Sequence, residues 1–397
     1  MKRSFADILQ GLDDGRARKV ARKLPSWAAA DAEIPSALSL EQCSSEATAR
    51  YKAGLAGRRS TILDLTGGLG VDSWAFSQVA GKVVYFERSE ELAAAAGRNF
   101  ARLGAGPIEV RCETVTPETE LPEAGLIYAD PARRDAAGRK VFLLEDCTPD
   151  ILTLLPQMLR KAPAVLLKLS PMADLAMLAG RLSPFLREIH VVESEGEVKE
   201  LLCLLGREPA SLEPEIVLTR LHGDSGTLLR FRPQQERETV PAYADAVRSG
   251  DTLLVPFPAL LKAGAFNLPC ARWGLRKLAP STHLYLFPSL PGAKTSPSAP
   301  GNPISPLPGA KTSPSAPGGL PAEASTWFKT YGIREVLPFG NASFKELKRR
   351  YPRAEVTARN LPLSSEELRK KMGISPGGDA HIFACRIADG STLLLVC

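Results

Sequence analysis

Between residue 58 and about residue 235, short β-branched or aliphatic runs alternate with stretches of helical period. The runs are Thr61–Leu65, Val83–Glu87, Ile108–Cys112, Leu126–Asp130, Ala164–Ser170, Ile189–Glu193, Glu215–Leu221 and Thr227–Arg232. Strands separated by helices must be joined by crossovers, so the pattern predicts an α/β fold built on a largely parallel, doubly wound sheet of the Rossmann-like kind. Such sheets bind ligands beyond the carboxyl ends of their strands, and the residues at those ends become the first candidates for chemistry.

At the end of the first run stands Asp64, followed by Thr66, Gly67, Gly68, Leu69, Gly70, Val71 and Asp72. This is a glycine-rich turn between the first strand and the first helix. Glycines admit a ligand close to the backbone and allow a tight turn. Glu87 closes the second strand, where a carboxylate can take both hydroxyls of a ribose. A dinucleotide site needs room for a pyrophosphate beside its first glycine. An acid at Asp64 repels phosphate and suits the amino-acid part of S-adenosylmethionine, which is therefore the expected cofactor. Asp72 and Glu113 complete the expected contacts around it. The fourth run ends in Asp130, Pro131, Ala132, Arg133 and Arg134, at the same edge of the sheet. In Rossmann-like methyltransferases that place holds an Asp/Asn-Pro-Pro-aromatic tetrapeptide whose oxygens orient an amine toward the methyl carbon. Here Arg133 stands in place of the aromatic residue, which leaves the acceptor atom open.

The rest of the chain divides by composition. Residues 1–55 are expected to form a helical extension broken by Pro25 and Pro35, and residues 56–235 the Rossmann-like domain. Residues 236–289 read as a small α+β piece with helical signals at Ala242–Arg248 and a strand at His283–Phe287. Within 290–320 the segment LPGAKTSPSAPG occurs twice, a duplicated Pro/Gly/Ser linker with little to bury. Residues 321–397 read as a compact α+β module with a basic helix at Ser343–Tyr351 and another at Ser364–Met372.

The 397 residues are 44% hydrophobic and 24% charged, and no apolar run reaches the ~20 residues of a membrane span. Without a secretory pattern at the N-terminus, the cytoplasm is the expected compartment. Seven scattered cysteines fit neither a disulfide framework nor a zinc knuckle, and the four histidines lack ligand spacing, so no metal is expected. The net charge of +6 permits a polyanionic partner without requiring one. His222–Gly226 resembles a protease nucleophile signature, but its α/β surroundings make it a hairpin turn. Cys147 lacks an activating neighbourhood for covalent catalysis.

Taken together, LEQCSSEATARYK at 40–52, DLTGGLGVD at 64–72, DPARR at 130–134, LKLSPM at 167–172 and KELL at 199–202 resemble a bacterial family of class I methyltransferases. Its members carry a small ferredoxin-like insert and a C-terminal THUMP-like domain. The tail agrees through RNLPLS at 359–364, LRKK at 368–371 and GGDAHIFA at 377–384. The resemblance implies a ferredoxin-like piece at 236–289, a THUMP-like domain at 321–397, and structured RNA, tRNA or rRNA, as substrate. It also implies that Gln42, Ser44 and Ser45 close over the cofactor and that Lys168, Ser170 and Asp174 line the acceptor side. Arg134, Lys345, Lys348 and Arg349 would meet the nucleic acid, and Asp130 with the Pro131, Ala132 and Arg133 segment would orient the nucleophile. The competing readings are methylation of a protein or small molecule, and a non-catalytic RNA-binding protein on a degenerate methyltransferase fold.

Overall fold

The computed structural model describes residues 15–132, 147–210, 212–223, 225–287 and 320–397. They fall into two compact units, Met1–Arg230 and Phe231–Cys397. In the first unit the strands are β1 (Arg59–Asp64), β2 (Ala80–Phe86), β3 (Ile108–Arg111), β4 (Leu126–Ala129), β5 (Ala164–Leu169), β6 (Leu186–Ser194), β7 (Glu197–Gly206), β8 (Glu215–His222) and β9 (Ser225–Phe231). They form one sheet in the order β3-β2-β1-β4-β5-β7-β6-β8-β9.

Strands β1 to β5 run parallel, as the alternation with helices requires. Every residue of β4 is buried, as expected of a central parallel strand covered on both faces. Three of the helices that precede or join these strands start on side-chain caps, whereas Val71–Phe76, between β1 and β2, starts on Gly70 without one. Ser45 caps Glu46–Ala56, Ser89 caps Glu90–Arg102 and Asp150 caps Ile151–Lys161. Trp74, Phe76, Tyr85, Phe100 and Tyr128 build an aromatic core about the start of the sheet, with Phe76 edge-on to Tyr128 and Tyr85 edge-on to Phe100.

Past β5 the sheet is mixed where the sequence pattern indicated mainly parallel strands. The run EVKELLCLLG, which carries no strand in the sequence reading, is β7, inserted antiparallel between β5 and β6. It arises from a two-residue hairpin turn, Glu195 and Gly196, with both residues at positive φ. Register then sets Lys168 of β5 opposite Leu202 of β7, which brings Glu200 toward the carboxyl ends of the parallel strands. His222 and Ser225 flank the turn between β8 and β9.

In the second unit β10 (Thr252–Pro256), β11 (Arg276–Lys277), β12 (Tyr285–Phe287) and β13 (Phe328–Gly332) form one sheet in the order β11-β12-β10-β13. A second sheet has the order β14-β17-β16-β15, from β14 (Glu335–Pro338), β15 (Glu355–Arg359), β16 (His381–Arg386) and β17 (Thr392–Val396). Strand β13 pairs with β10, and Leu253, Leu284 and Leu286 pack in one core with Phe383, Cys385 and Leu395. The stretches on either side of the duplicated tract thus share a core. The expected helix at Ala242–Arg248 does not form. Its backbone is engaged by β11 instead, with the Lys277 amide donating to Ala242 O and the Ala244 amide donating to Lys277 O. The duplicated tract lies outside the described residues apart from Leu320. No helix among the described residues is long and apolar enough to cross a membrane.

Candidate active site

The glycine turn after β1 is held from below and from the side. The Gly67 amide donates to Phe86 O (2.8 Å), the Gly68 amide to Glu87 Oε2 (2.8 Å), and the Tyr85 hydroxyl to Gly68 O (2.5 Å). Gly68 and Gly70 have φ of +55° and +91°, which a side chain would strain. A Cβ at Gly67 would sit 2.0 Å from the Tyr85 ring, so this glycine is required by packing against the second strand as well as by any ligand.

Asp64 differs in place from the sequence expectation. Its carboxylate is 1% exposed and lies beneath the turn, accepting from the Thr66 amide (3.1 Å) and the Ser73 hydroxyl (2.6 Å), rather than lining the cleft. Burial pushes its pKa up to about 7, against the two hydrogen bonds that favour the carboxylate. It shapes the turn from inside.

Above the turn opens a cleft of about 1500 Å³ at the carboxyl ends of β1, β2, β4 and β5. Thr66, Gly67, Gly68, Gly70, Asp72, Glu87 and Glu113 all line it, together with Gln42 and Ser44 from the N-terminal extension. Glu87 is oriented by two backbone amides, Gly68 on one oxygen and Ser89 on the other, both at 2.8 Å. Ser45 serves as a helix cap and is not among the lining residues.

Across the cleft, Asp130 follows β4, and its amide donates to Thr66 Oγ1 (2.6 Å), tying the acidic loop to the glycine turn. Pro131 and Ala132 line the cleft as expected. The Ala132 amide and carbonyl are both paired with Thr148 (2.8 and 3.1 Å), so that carbonyl is already engaged. Arg133 and Arg134 lie outside the described residues. Cys147, close downstream of the Asp130 loop in sequence, also lines the cleft. Ser170 lines the cleft as well, whereas Asp174 caps the helix Leu175–Leu182 through the Met177 amide (2.8 Å).

Lys168 of β5 reaches Asp130 Oδ2 at 2.5 Å with its side chain 13% exposed. Burial opposes its charge, but the carboxylates of Asp130, Glu200 and Asp72 outweigh it and hold the ammonium well above the ordinary lysine range. Behind it, Lys52 is wholly buried and donates to Ser44 Oγ (2.8 Å) and to both oxygens of Glu200 (3.0 and 3.1 Å), and lies 3.1 Å from Asp72 Oδ1. Asp72 also accepts from Ser44 Oγ (2.9 Å) and the Tyr128 hydroxyl (2.8 Å). Burial raises the Glu200 carboxyl despite Lys52, while Asp72, against its own burial, is held low by Lys52 and Lys168. Lys52 and Glu200 fall in two separate segments that resemble the family, LEQCSSEATARYK and KELL. Nothing local announced their pairing.

Lys345, Lys348 and Arg349 lie in the second unit, exposed on the helix Asn341–Arg350. Lys348 Nζ rests beside Gly373 at the carboxyl end of the helix Ser365–Met372, where an ammonium complements the helix dipole. Among the described residues no group of three or more His, Cys, Asp or Glu side chains could hold a metal ion.

A family described as THUMP domain-like matches residues 328–397, and one described as a ferredoxin-like domain matches residues 253–291. The crystal structure of a Porphyromonas gingivalis W83 protein, described as a candidate methyltransferase, is 32% identical over 96% of this chain and 87% of that one, with a TM-score of 0.78. More distant are a tRNA (m1A58) methyltransferase from Aquifex aeolicus, 16% identical over 44% of this chain and 72% of that one (TM-score 0.33), and an rRNA methylase from Streptococcus thermophilus, 13% identical over 40% and 93% (TM-score 0.30). No curated protein matches the chain.

Proposed function

Because the chain belongs to a family of Rossmann-like methyltransferase-fold proteins that carry ferredoxin-like and THUMP-like domains, we propose that it transfers a methyl group from S-adenosylmethionine to a nucleotide of structured RNA. The observation that carries this reading is the cleft. It joins a glycine turn, a pre-oriented Glu87 and an acidic loop at Asp130 on one sheet edge. Its volume of about 1500 Å³ exceeds the roughly 300–1,000 Å³ of a single small-ligand pocket, which leaves room for a second reactant.

The residues fit the cofactor by sign and shape. Glu87 would take the ribose hydroxyls, the backbone at Gly67 to Gly70 would pass beside the amino-acid part, and Glu113 would stand near the base. Acidic side chains at Asp72, Glu87, Glu113 and Asp130 favour a sulfonium cation and disfavour a pyrophosphate. When bound, S-adenosylmethionine supplies an electrophilic methyl carbon. Asp130 orients the acceptor, and methyl transfer depends chiefly on such positioning.

An RNA substrate is supported by the match of residues 328–397 to a THUMP-like family and by two helices ending in basic residues, Lys348 to Arg350 and Arg369 to Lys371. The cytoplasm, where structured RNA is matured, is the setting. The test is transfer of label from S-adenosylmethionine to size-fractionated RNA from a strain lacking the gene. Label in an RNA fraction supports the reading. Label confined to protein or small molecules moves the assignment to those acceptors, and absence of S-adenosylhomocysteine binding would make the fold a non-catalytic one.

A further inference from the structure

We infer that the atom methylated is a hydroxyl oxygen, in an RNA chain the ribose 2′-hydroxyl, with Asp130 taking its proton and the Lys168 ammonium stabilising the oxygen as negative charge gathers on it. This deepens the proposed function and rests on it.

The two acceptor chemistries ask for opposite surroundings. An amine nitrogen becomes more positive as it is alkylated, so a site for it needs oxygens that receive its N–H groups and no cation beside them. A hydroxyl is a poor nucleophile until its proton begins to leave, so its site needs one proton acceptor and a positive charge at the oxygen. The cleft has the second arrangement. Lys168 Nζ lies 2.5 Å from Asp130 Oδ2, and both side chains line the cleft. Of the oxygens that an amine would require, Asp130 Oδ2 is taken by Lys168, and the Ala132 carbonyl by the Thr148 amide.

A buried ammonium is costly unless it is paired, and this one is kept by carboxylates drawn from separate elements. Asp130 pairs with it directly after β4, and the charges of Glu200 and Asp72 add to that hold. Lys52, on the helix Glu46–Ala56, ties these two carboxylates together, lying 3.0 Å from Glu200 and 3.1 Å from Asp72. The carboxylates outweigh the effect of burial, so Lys168 remains charged at neutral pH and acts as a cation, not as the base. Lys52 and Glu200 do not line the cleft and are positioning residues.

In the transfer the oxygen lone pair forms a bond to the methyl carbon and the carbon–sulfur bond breaks, its electron pair passing to sulfur. The hydroxyl proton, made acidic as the new bond forms, goes to the Asp130 carboxylate and then to solvent. The products are the methyl ether and S-adenosylhomocysteine. Inside an RNA chain the 3′ and 5′ oxygens are held in phosphodiesters, which leaves the 2′-hydroxyl.

The experiment uses the full-length protein, methyl-labelled S-adenosylmethionine and RNA from a strain lacking the gene, followed by alkaline hydrolysis. Alkali cleaves RNA only beside a free 2′-hydroxyl, so the inference predicts label in alkali-stable dinucleotides. Label in mononucleotides, on the base, overturns it while methyl transfer to RNA stands. No label in RNA contradicts the RNA reading and removes this inference with it. Lys168→Gln is expected to lose about 100-fold or more in transfer while its calorimetric affinity for S-adenosylhomocysteine is kept, with partial recovery in Lys168→Arg. Full transfer by Lys168→Gln contradicts the role given to the ammonium.

Discussion

The amide of Gly68 donates to Glu87 Oε2 across 2.8 Å, so the glycine turn after the first strand and the carboxylate at the end of the second are fixed to one another. The Ser89 amide holds the other oxygen at the same distance, and the carboxylate is therefore aimed before any ligand arrives. Hydrogen bonds to a charged group contribute on the order of 1.5–3 kcal/mol. Glu87→Ala should weaken S-adenosylhomocysteine binding by roughly 10- to 100-fold, read by titration calorimetry. An unchanged affinity would remove Glu87 from the cofactor contacts.

Gly67→Ala tests the packing under the turn. Its Cβ would lie 2.0 Å from the Tyr85 ring, whose hydroxyl holds Gly68 O, so the ring and the turn must separate. Overpacking of this kind costs about 1–3 kcal/mol. Urea unfolding should show that loss, with weakened cofactor binding beside it.

Removing Lys52 leaves Glu200 and Asp72 buried without their shared cation. Lys52→Met should destabilise the protein by on the order of 3–5 kcal/mol, and Lys52→Met combined with Glu200→Leu should cost less than the single change. Equal costs in the two variants would mean that the pair is not coupled.

Asp64 gives the stability a pH dependence. Its pKa in the fold is about 7, against roughly 4 in an unfolded chain. Between those values the native state retains a proton that the unfolded state has lost, so this group's contribution falls as pH rises through that window and levels off above it. Asp64→Asn should flatten the wild-type decline in melting temperature over the same range. An unchanged slope would assign it to other groups.

If Lys345, Lys348 and Arg349 contact phosphates, changing all three to Gln should lower the slope of log affinity for RNA against log salt by about two to three. Filter binding across a salt series reads the slope directly. No change would leave these side chains as a solvated helix face.

The parallel half of the sheet and the places of Asp130 and Glu87 could be read from the sequence because each depends on local signals: an aliphatic run, then a turn residue or an acid at its end. The ionic cluster could not. Lys52 and Glu200 are 148 residues apart and meet only because β7 inserts beside β5. That insertion depends on a Glu195-Gly196 hairpin without the usual Asn-Gly or Asp-Gly signature. Asp64 was legible as a strand-end acid but not as one turned inward, since its direction is set by Ser73 on the following helix. The helical signals at Ala242–Arg248 were overridden by backbone pairing to Lys277, a tertiary contact that local propensity does not record.

The most direct test of the central claim, that the cleft between Glu87 and Asp130 is where the methyl group is presented, is a structure of the protein with S-adenosylhomocysteine. The account predicts the ribose hydroxyls on Glu87 and the sulfur facing Asp130 and Lys168. A ligand bound elsewhere, or with its sulfur turned away from Asp130, would contradict it.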